Sequence, residues 1–300
     1  MPEQCYLRQY IIMPFSNKVN LPSDSYYPLS EELFRLITDL IYRNSGLKFD
    51  DGSKYLIQRR LSPRVQDLKL ESFQKYYYYL LYDQNREPEI DTIFDLVTTN
   101  ETYFFREERQ LRAFSDEILP EIIQEKEKTG NKRLRIWSAG CSSGEEPYTI
   151  AIIANGHAGL KEWDVDIFAS DISQKTIAKA RKGVYTQNSF RNVNEALINN
   201  FFTKENEKYK IVDTIKNMVT FGKVNIIDER KLVLLGEVDI IFCRNVLIYF
   251  DTDAKKKAIN NFYSRLRKNG YLLLGHSESL LGLSTQFQLK HFINDMVYQK

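Results

Sequence analysis

Ser138-Ala139-Gly140-Cys141-Ser142-Ser143-Gly144-Glu145-Glu146-Pro147-Tyr148 is the stretch whose reading decides the fold. Before it, the apolar run Leu134 to Trp137 reads as a buried strand. After it, Thr149-Ile150-Ala151-Ile152-Ile153-Ala154 reads as the start of a helix. A strand, a glycine-bearing turn and a helix make the front of a nucleotide-binding βα unit. Glycines let backbone and ligand approach closely. Two carboxylates beside the turn would repel a pyrophosphate and attract a ligand with a cationic end. S-adenosylmethionine (SAM), with its ammonium and sulfonium, is such a ligand.

Moving outward, the α/β rhythm continues. Asp166-Ile167-Phe168-Ala169-Ser170-Asp171 is a second strand with a carboxylate at its C-terminal end. Ser173 is placed to cap a helix running through Arg181, which Gly183 stops. Val238 to Cys243 is a further buried strand. Tyr271 to Leu274 is a fourth, after the turn Lys268-Asn269-Gly270, and Phe287 to Tyr298 suits a terminal hairpin. Between Tyr185 and Lys223 the rhythm stops. Tyr209, Ile211, Asp213 and Ile215 alternate at strand spacing there, so about 186–223 is expected to be a small antiparallel β insertion.

Upstream, Ser30-Glu31-Glu32 starts a helix carrying Leu33, Ile37, Leu40 and Ile41, and Gly46 fits its stop. Phe73, Tyr76, Tyr77 and Leu80 give another helix, and Ile90, Phe94 and Val97 one more. Leu111, Phe114, Ile118 and Ile122 mark a further helix whose end Pro120 is expected to kink. The organisation expected is a 1–28 extension without assignment, a 29–97 helical domain, a 98–125 linker and helix, and a 126–300 α/β domain.

Composition bounds the class. Of 300 residues 43% are hydrophobic, enough for a full core. Lys and Arg total 42 against 40 acidic residues, so net charge argues for no particular partner. Cys5, Cys141 and Cys243 lie far apart, and only three histidines accompany them, which excludes a disulfide framework or zinc site. Pro14 ends the early apolar run Tyr10 to Met13, and no run approaches a membrane span. The expectation is a soluble cytoplasmic protein without metal or membrane insertion.

Several polar groups fall where chemistry belongs. Asp171 ends the strand after the glycine turn, where such sheets place the acid that binds ribose hydroxyls; a capping carboxylate is the alternative. Glu145 suits a ligand ammonium, although either glutamate also suits a helix N-terminus. Thr98 to Arg106 joins the two halves, and a linker borders the cleft where ligands sit. Arg244, Asn245 and Tyr249 follow a core strand at its C-terminal rim. Lys54, Arg59, Arg60, Arg64 and Lys69 form a cationic stretch, either a solvated face or a docking surface for an acidic partner. No RGG-like stretch or aromatic platform accompanies it, which disfavours nucleic acid.

Together these pieces resemble the chemotaxis receptor methyltransferases, the CheR family, from about Ser30 to the C-terminus. Five segments carry the likeness: TTNETYFFRE from Thr98, WSAGCSSGEEPYTIA from Trp137, FASDIS from Phe168, FCRNVLIYFD from Phe242 and LLLGHSES from Leu272. The resemblance implies an α/β SAM-dependent methyltransferase domain of Rossmann-like type with a small β insertion, preceded by a small all-helical domain. It implies a protein-glutamate O-methyltransferase that modifies chemoreceptor cytoplasmic helices and leaves S-adenosylhomocysteine (SAH).

By the same resemblance Asn100, Thr102, Arg106, Gly140, Glu145, Asp171, Asn225, Ile226, Arg244 and Asn245 are cofactor contacts. Arg106 and Tyr249 lie nearest the transferred methyl, and Lys54, Arg59, Arg60 and Arg64 meet the receptor. A monomer is expected. Some members carry a glycine-containing loop in the β insertion that grips a receptor tail. Thr203 to Tyr209 is short and lacks glycine, so that tether is not expected here.

Rival readings keep SAM but change the acceptor to RNA or a small molecule, or make the chain a SAM-sensing adaptor without turnover. A dinucleotide oxidoreductase suits the Glu145-Glu146 pair badly.

Overall fold

The computed structural model describes residues 27–300, Asn192 excepted. Cys5 and nearly all of the 1–28 extension therefore lie outside the described residues.

The chain begins with a helical layer: α1 (Glu31–Ser45), α2 (Lys54–Asp67), α3 (Phe73–Tyr82) and α4 (Arg86–Val97). The end signals of α1 act as read. Ser30 Oγ accepts from the Leu33 N–H, and Gly46 closes the helix in the left-handed conformation at φ 80°. After the linker come α5 (Glu108–Ala113) and α6 (Leu119–Glu127), joined by one π-helical turn over Phe114–Ile118. Here the structure corrects an expectation. Pro120 does not kink the end of the helix but sits in the first turn of α6. The wider turn before it accommodates a residue that lacks an N–H and crowds the preceding carbonyls.

The α/β part follows as β1 (Arg133–Ala139), α7 (Glu145–Gly156), β2 (Asp164–Asp171), α8 (Gln174–Lys182), β3 (Val184–Tyr185), α9 (Glu195–Phe201), β4 (Phe202–Glu205), β5 (Lys208–Ile211), α10 (Asp213–Lys216), β6 (Val219–Lys223), α11 (Glu229–Leu232), β7 (Val238–Cys243), α12 (Thr252–Arg265), β8 (Leu266–Leu274), β9 (Gln288–His291) and β10 (Met296–Gln299). A seven-stranded sheet has the order β6-β2-β1-β7-β8-β10-β9. Its neighbours are parallel from β6 to β8, and β10 runs antiparallel to both β8 and β9. Strand order reverses between β1 and β7, which opens a crevice at their C-terminal ends.

A second sheet, β3-β5-β4, is the antiparallel insertion that the broken rhythm predicts. Two details differ. Asp213 and Ile215 lie in the helical turn α10, because the strand ends at Ile211. Val219–Lys223 pairs with β2 as the edge of the main sheet, so it does not belong to the insertion. Likewise Lys268-Asn269-Gly270 is no separate turn. It is a bulge inside β8, where pairing with β7 slips between Val238↔Leu266 and Ile240↔Tyr271.

Strand alternation splits the core. Ile136, Ile240, Phe242, Tyr271 and Leu273 face one side, against α5, α6, α7 and the small sheet. Trp137, Ile241, Cys243, Leu272 and Leu274 face the other, against α12. This second core runs without interruption into Phe34, Ile37, Ile57, Leu61 and Tyr76 of the helical layer. The helical layer is thereby fixed over the crevice.

A candidate active site at the strand tips

The glycine turn is anchored from below: the N–H groups of Gly140 and Cys141 donate to the Ser170 carbonyl at 2.7 and 2.9 Å. Gly140 has φ 83°, and a Cβ there would fall inside the Val246 side chain. Its freedom therefore brings the loops after β1 and β7 together, which is closer to home than the ligand approach read from the sequence. Ser142 follows at φ 48°, and its N–H donates to Asp171 Oδ2 at 2.9 Å. The Ser173 N–H donates to Asp171 Oδ1, also at 2.9 Å. Burial pushes the Asp171 carboxyl above its usual range, and the Ser173 and Ser142 N–H bonds oppose that.

The two glutamates at the start of α7 divide. Glu146 lines the cavity and accepts from Ser138 Oγ at 2.7 Å, with Arg244 Nη1 3.4 Å away. Glu145 is 3% exposed, accepts from Ser143 Oγ and Ser189 Oγ at 2.8 and 3.0 Å, and does not line it. The cavity wall thus carries Glu146 where the sequence reading put Glu145. Burial raises the pKa of both.

The linker crosses the crevice. Phe104 is fully buried in an aromatic cluster with Tyr185, Phe190 and Phe202, and its N–H donates to the Ser189 carbonyl. With that anchor fixed, Phe105 and Glu107 both adopt left-handed φ of 59° on either side of Arg106. Such backbone is costly for residues with a side chain and clusters at functional sites. Arg244 holds the far side: Nη2 reaches the Arg106 carbonyl at 2.5 Å and Glu107 Oε2 at 3.1 Å. Only 3% of the Arg244 side chain is exposed. Arg244 thus positions both Glu146 and Arg106.

These groups surround a cavity of about 700 Å³, within the ~300–1,000 Å³ span of small-molecule sites. Ten of the expected residues line it: Asn100, Thr102, Arg106, Gly140, Asp171, Asn225, Ile226, Arg244, Asn245 and Tyr249. Asn225 Nδ2 donates to the Asn44 carbonyl at 2.9 Å, and Leu47, Phe49, Leu56 and Val97 roof the space. Tyr249 is 37% exposed, and its carbonyl accepts the Lys48 N–H. Asn245 sits at φ 60° with its Oδ1 buried and unpartnered. The Asp171 carboxylate, the unpartnered Asn245 Oδ1 and the Glu146 carboxylate in an apolar-roofed cavity fit a nucleoside with a cationic tail, as SAM requires.

The cationic stretch separates in space. Arg64 binds Glu89, itself 2% exposed, through Nε at 3.0 Å and Nη2 at 2.6 Å. Arg60 donates to the carbonyls of Val97 and Thr98, and burial lowers its pKa. Lys54 pairs with Glu31 at 2.5 Å. Arg59 is exposed. Sequence reasoning missed Glu107 and Glu278. Glu278 belongs to the quoted LLLGHSES segment, yet only the fold reveals that it reaches the loop after β7.

Comparison with known proteins identifies the family. Residues 32–98 match the family of CheR methyltransferase all-alpha domains, and 100–293 match the CheR methyltransferase SAM binding domain. A chemotaxis protein methyltransferase 2 of Vibrio cholerae is 36% identical over 264 residues, covering 87% of this chain and 90% of that protein. Chemotaxis protein methyltransferases of Borreliella burgdorferi and Salmonella typhimurium are 36% and 32% identical, covering 89% and 87% of this chain and 92% and 88% of theirs. Both halves of the chain match over nearly their whole length, and the chain belongs to the CheR family of SAM-dependent chemotaxis methyltransferases.

Proposed function

We propose that the chain methylates glutamate side chains on the cytoplasmic helices of a chemoreceptor, acting as a cytoplasmic monomer, with the cavity at the strand tips as its SAM site. The observation that carries this is the arrangement of Arg106 and Tyr249 at the rim of a cavity whose depth holds Asp171 and Glu146.

Bound SAM supplies an electrophilic methyl on a positively charged sulfur. Asp171 would accept hydrogen bonds from the ribose hydroxyls, its carboxylate already oriented by the Ser142 and Ser173 N–H groups. Glu146 faces the ammonium, and Arg244 keeps its carboxylate in place. Asn225 and Ile226 border the base, while Asn100, Thr102 and Asn245 supply polar contacts along the linker and rim. Glu145 acts from behind, fixing the turn to the small lobe through Ser143 and Ser189.

The acceptor carboxylate needs no general base, since a glutamate of pKa about 4.3 is already ionised at neutral pH. Arg106, half-buried and cationic, steers that carboxylate toward the methyl. Tyr249 donates a hydrogen bond that orients it. The apolar roof excludes water, which strengthens both interactions. Arg59 meets the acidic receptor helix from outside the cavity. Lys54, Arg60 and Arg64 support that surface through Glu31, the linker carbonyls and Glu89.

Incubation with methyl-labelled SAM and a receptor cytoplasmic fragment tests this. Label on the receptor that base releases as methanol is expected. Label that survives base assigns another acceptor atom and overturns the reading.

A further inference from the structure

Beyond the cavity wall, one carboxylate outside it controls the loop that forms its rim. Glu278 Oε2 accepts the N–H groups of Asn245 at 2.8 Å and Gly275 at 2.7 Å. Its Oε1 accepts those of Val246 at 2.9 Å and Leu247 at 2.6 Å. A single side chain therefore gathers four backbone donors from the loops after β7 and β8. Burial raises the Glu278 pKa, and these backbone bonds oppose the rise. Gly275 completes the fit, since a Cβ there would press on the Asn245 backbone and the Glu278 carboxylate, both at 2.9 Å. The loop so held carries left-handed Asn245, with its unpartnered Oδ1, and leads to Tyr249.

We propose that Glu278 is a positioning residue for methyl transfer. Its carboxylate cages the Asn245–Leu247 backbone, so that Asn245 Oδ1 is presented to the bound donor and Val246 seats against Gly140. This rests on the cavity being the SAM site. Only a carboxylate has acceptor capacity at both oxygens for four N–H groups. In Glu278→Gln one of those oxygens becomes an NH₂ that faces donors. Glu278→Asp keeps the charge but is one methylene short.

The test compares the intact protein with Glu278→Gln and Glu278→Asp. Amide exchange in Asn245, Val246, Leu247 and Gly275 is expected to accelerate about tenfold or more in Glu278→Gln, given the strength of charge-assisted bonds. Exchange in β1 stays as in the parent protein. SAH affinity and kcat fall by about tenfold, while KM for the receptor fragment stays within about twofold. Glu278→Asp recovers part of each loss. Unchanged exchange and SAH affinity in Glu278→Gln overturn the proposal, as does a loss confined to receptor KM. Should Glu278→Gln not fold, the same exchange and affinity readings on Glu278→Asp decide. Failure of the parent protein to bind SAH refutes the cavity reading instead, and the exchange rates still decide the caging role.

Discussion

Arg244, at the tip of β7, grips the carbonyl of Arg106 from 2.5 Å while the same guanidinium lies between Glu107 and Glu146. One buried arginine thus ties the sheet to the linker and fixes a residue from each. The left-handed φ values of Phe105 and Glu107 are maintained by that grip and by buried Phe104. Arg106 is in this way presented at the cavity rim without depending on its own contacts. Apart from the Glu101 carbonyl at 3.2 Å and the Tyr103 ring, its guanidinium has no protein partner among the described residues.

For that reason Arg106→Ala is expected to fold normally, with thermal stability within about 0.5 kcal/mol of the parent. Its kcat falls by about 100-fold or more, the scale of losing the alignment of a reacting group. Thermal unfolding and initial rates on a receptor fragment check both parts. Near-normal turnover removes Arg106 from the mechanism.

Glu145 and Glu146 make a discriminating pair. Glu146→Gln is expected to weaken SAH binding by about tenfold, or 1.4 kcal/mol, since the cavity loses the carboxylate proposed to face the ammonium. Glu145→Gln changes affinity by less than about threefold, because Glu145 faces Ser143 and Ser189. Titration calorimetry on both variants measures the difference; the reverse order assigns the ammonium to Glu145.

Acidity follows with a definite sign. Burial raises Glu145, Glu146, Asp171 and Glu278 above ordinary carboxylate values. Below the unfolded-state values, near 4, both states hold these protons and the contribution to stability is fully present. As pH rises through the raised native values, the folded state must ionise buried acids and that contribution is lost. A bound cation favours the ionised forms, so SAM uptake releases protons and affinity climbs with pH through the same window. Calorimetry in buffers of different ionisation enthalpy at mildly acidic pH should register net proton release. Net uptake would contradict the assignment.

Arg64 and Arg59 are expected to separate stability from docking. Arg64→Ala leaves the buried Glu89 carboxylate without its ion pair, a loss of about 3–5 kcal/mol, with Tyr76 the remaining donor at 2.7 Å. Arg59→Ala alters stability by less than about 0.5 kcal/mol but raises KM for the receptor. Denaturant unfolding and receptor-dependent rates distinguish them.

Much of this molecule is legible in its sequence because the strands of its main sheet are buried on both faces. Ile167, Ile240 and Leu272 fall in continuous apolar runs, and Ser30, Ser173 and Gly183 punctuate the helices where the structure ends them. β6 escaped notice since Thr220 and Gly222 dilute an edge strand to which only β2 gives meaning. The choice between Glu145 and Glu146 turns on helix phase, about 100° per residue, and sequence does not set the start of a helix that closely. Glu107 and Glu278 act through partners far along the chain, so spacing carries no trace of their roles.

The most direct test of the whole account is titration of purified protein with SAH, alongside Asp171→Asn. One equivalent bound by the parent protein, and affinity reduced by about tenfold or more in the variant, is the expected result. Equal uptake by both, or none by the parent, would contradict a donor held at the tips of β1 and β2.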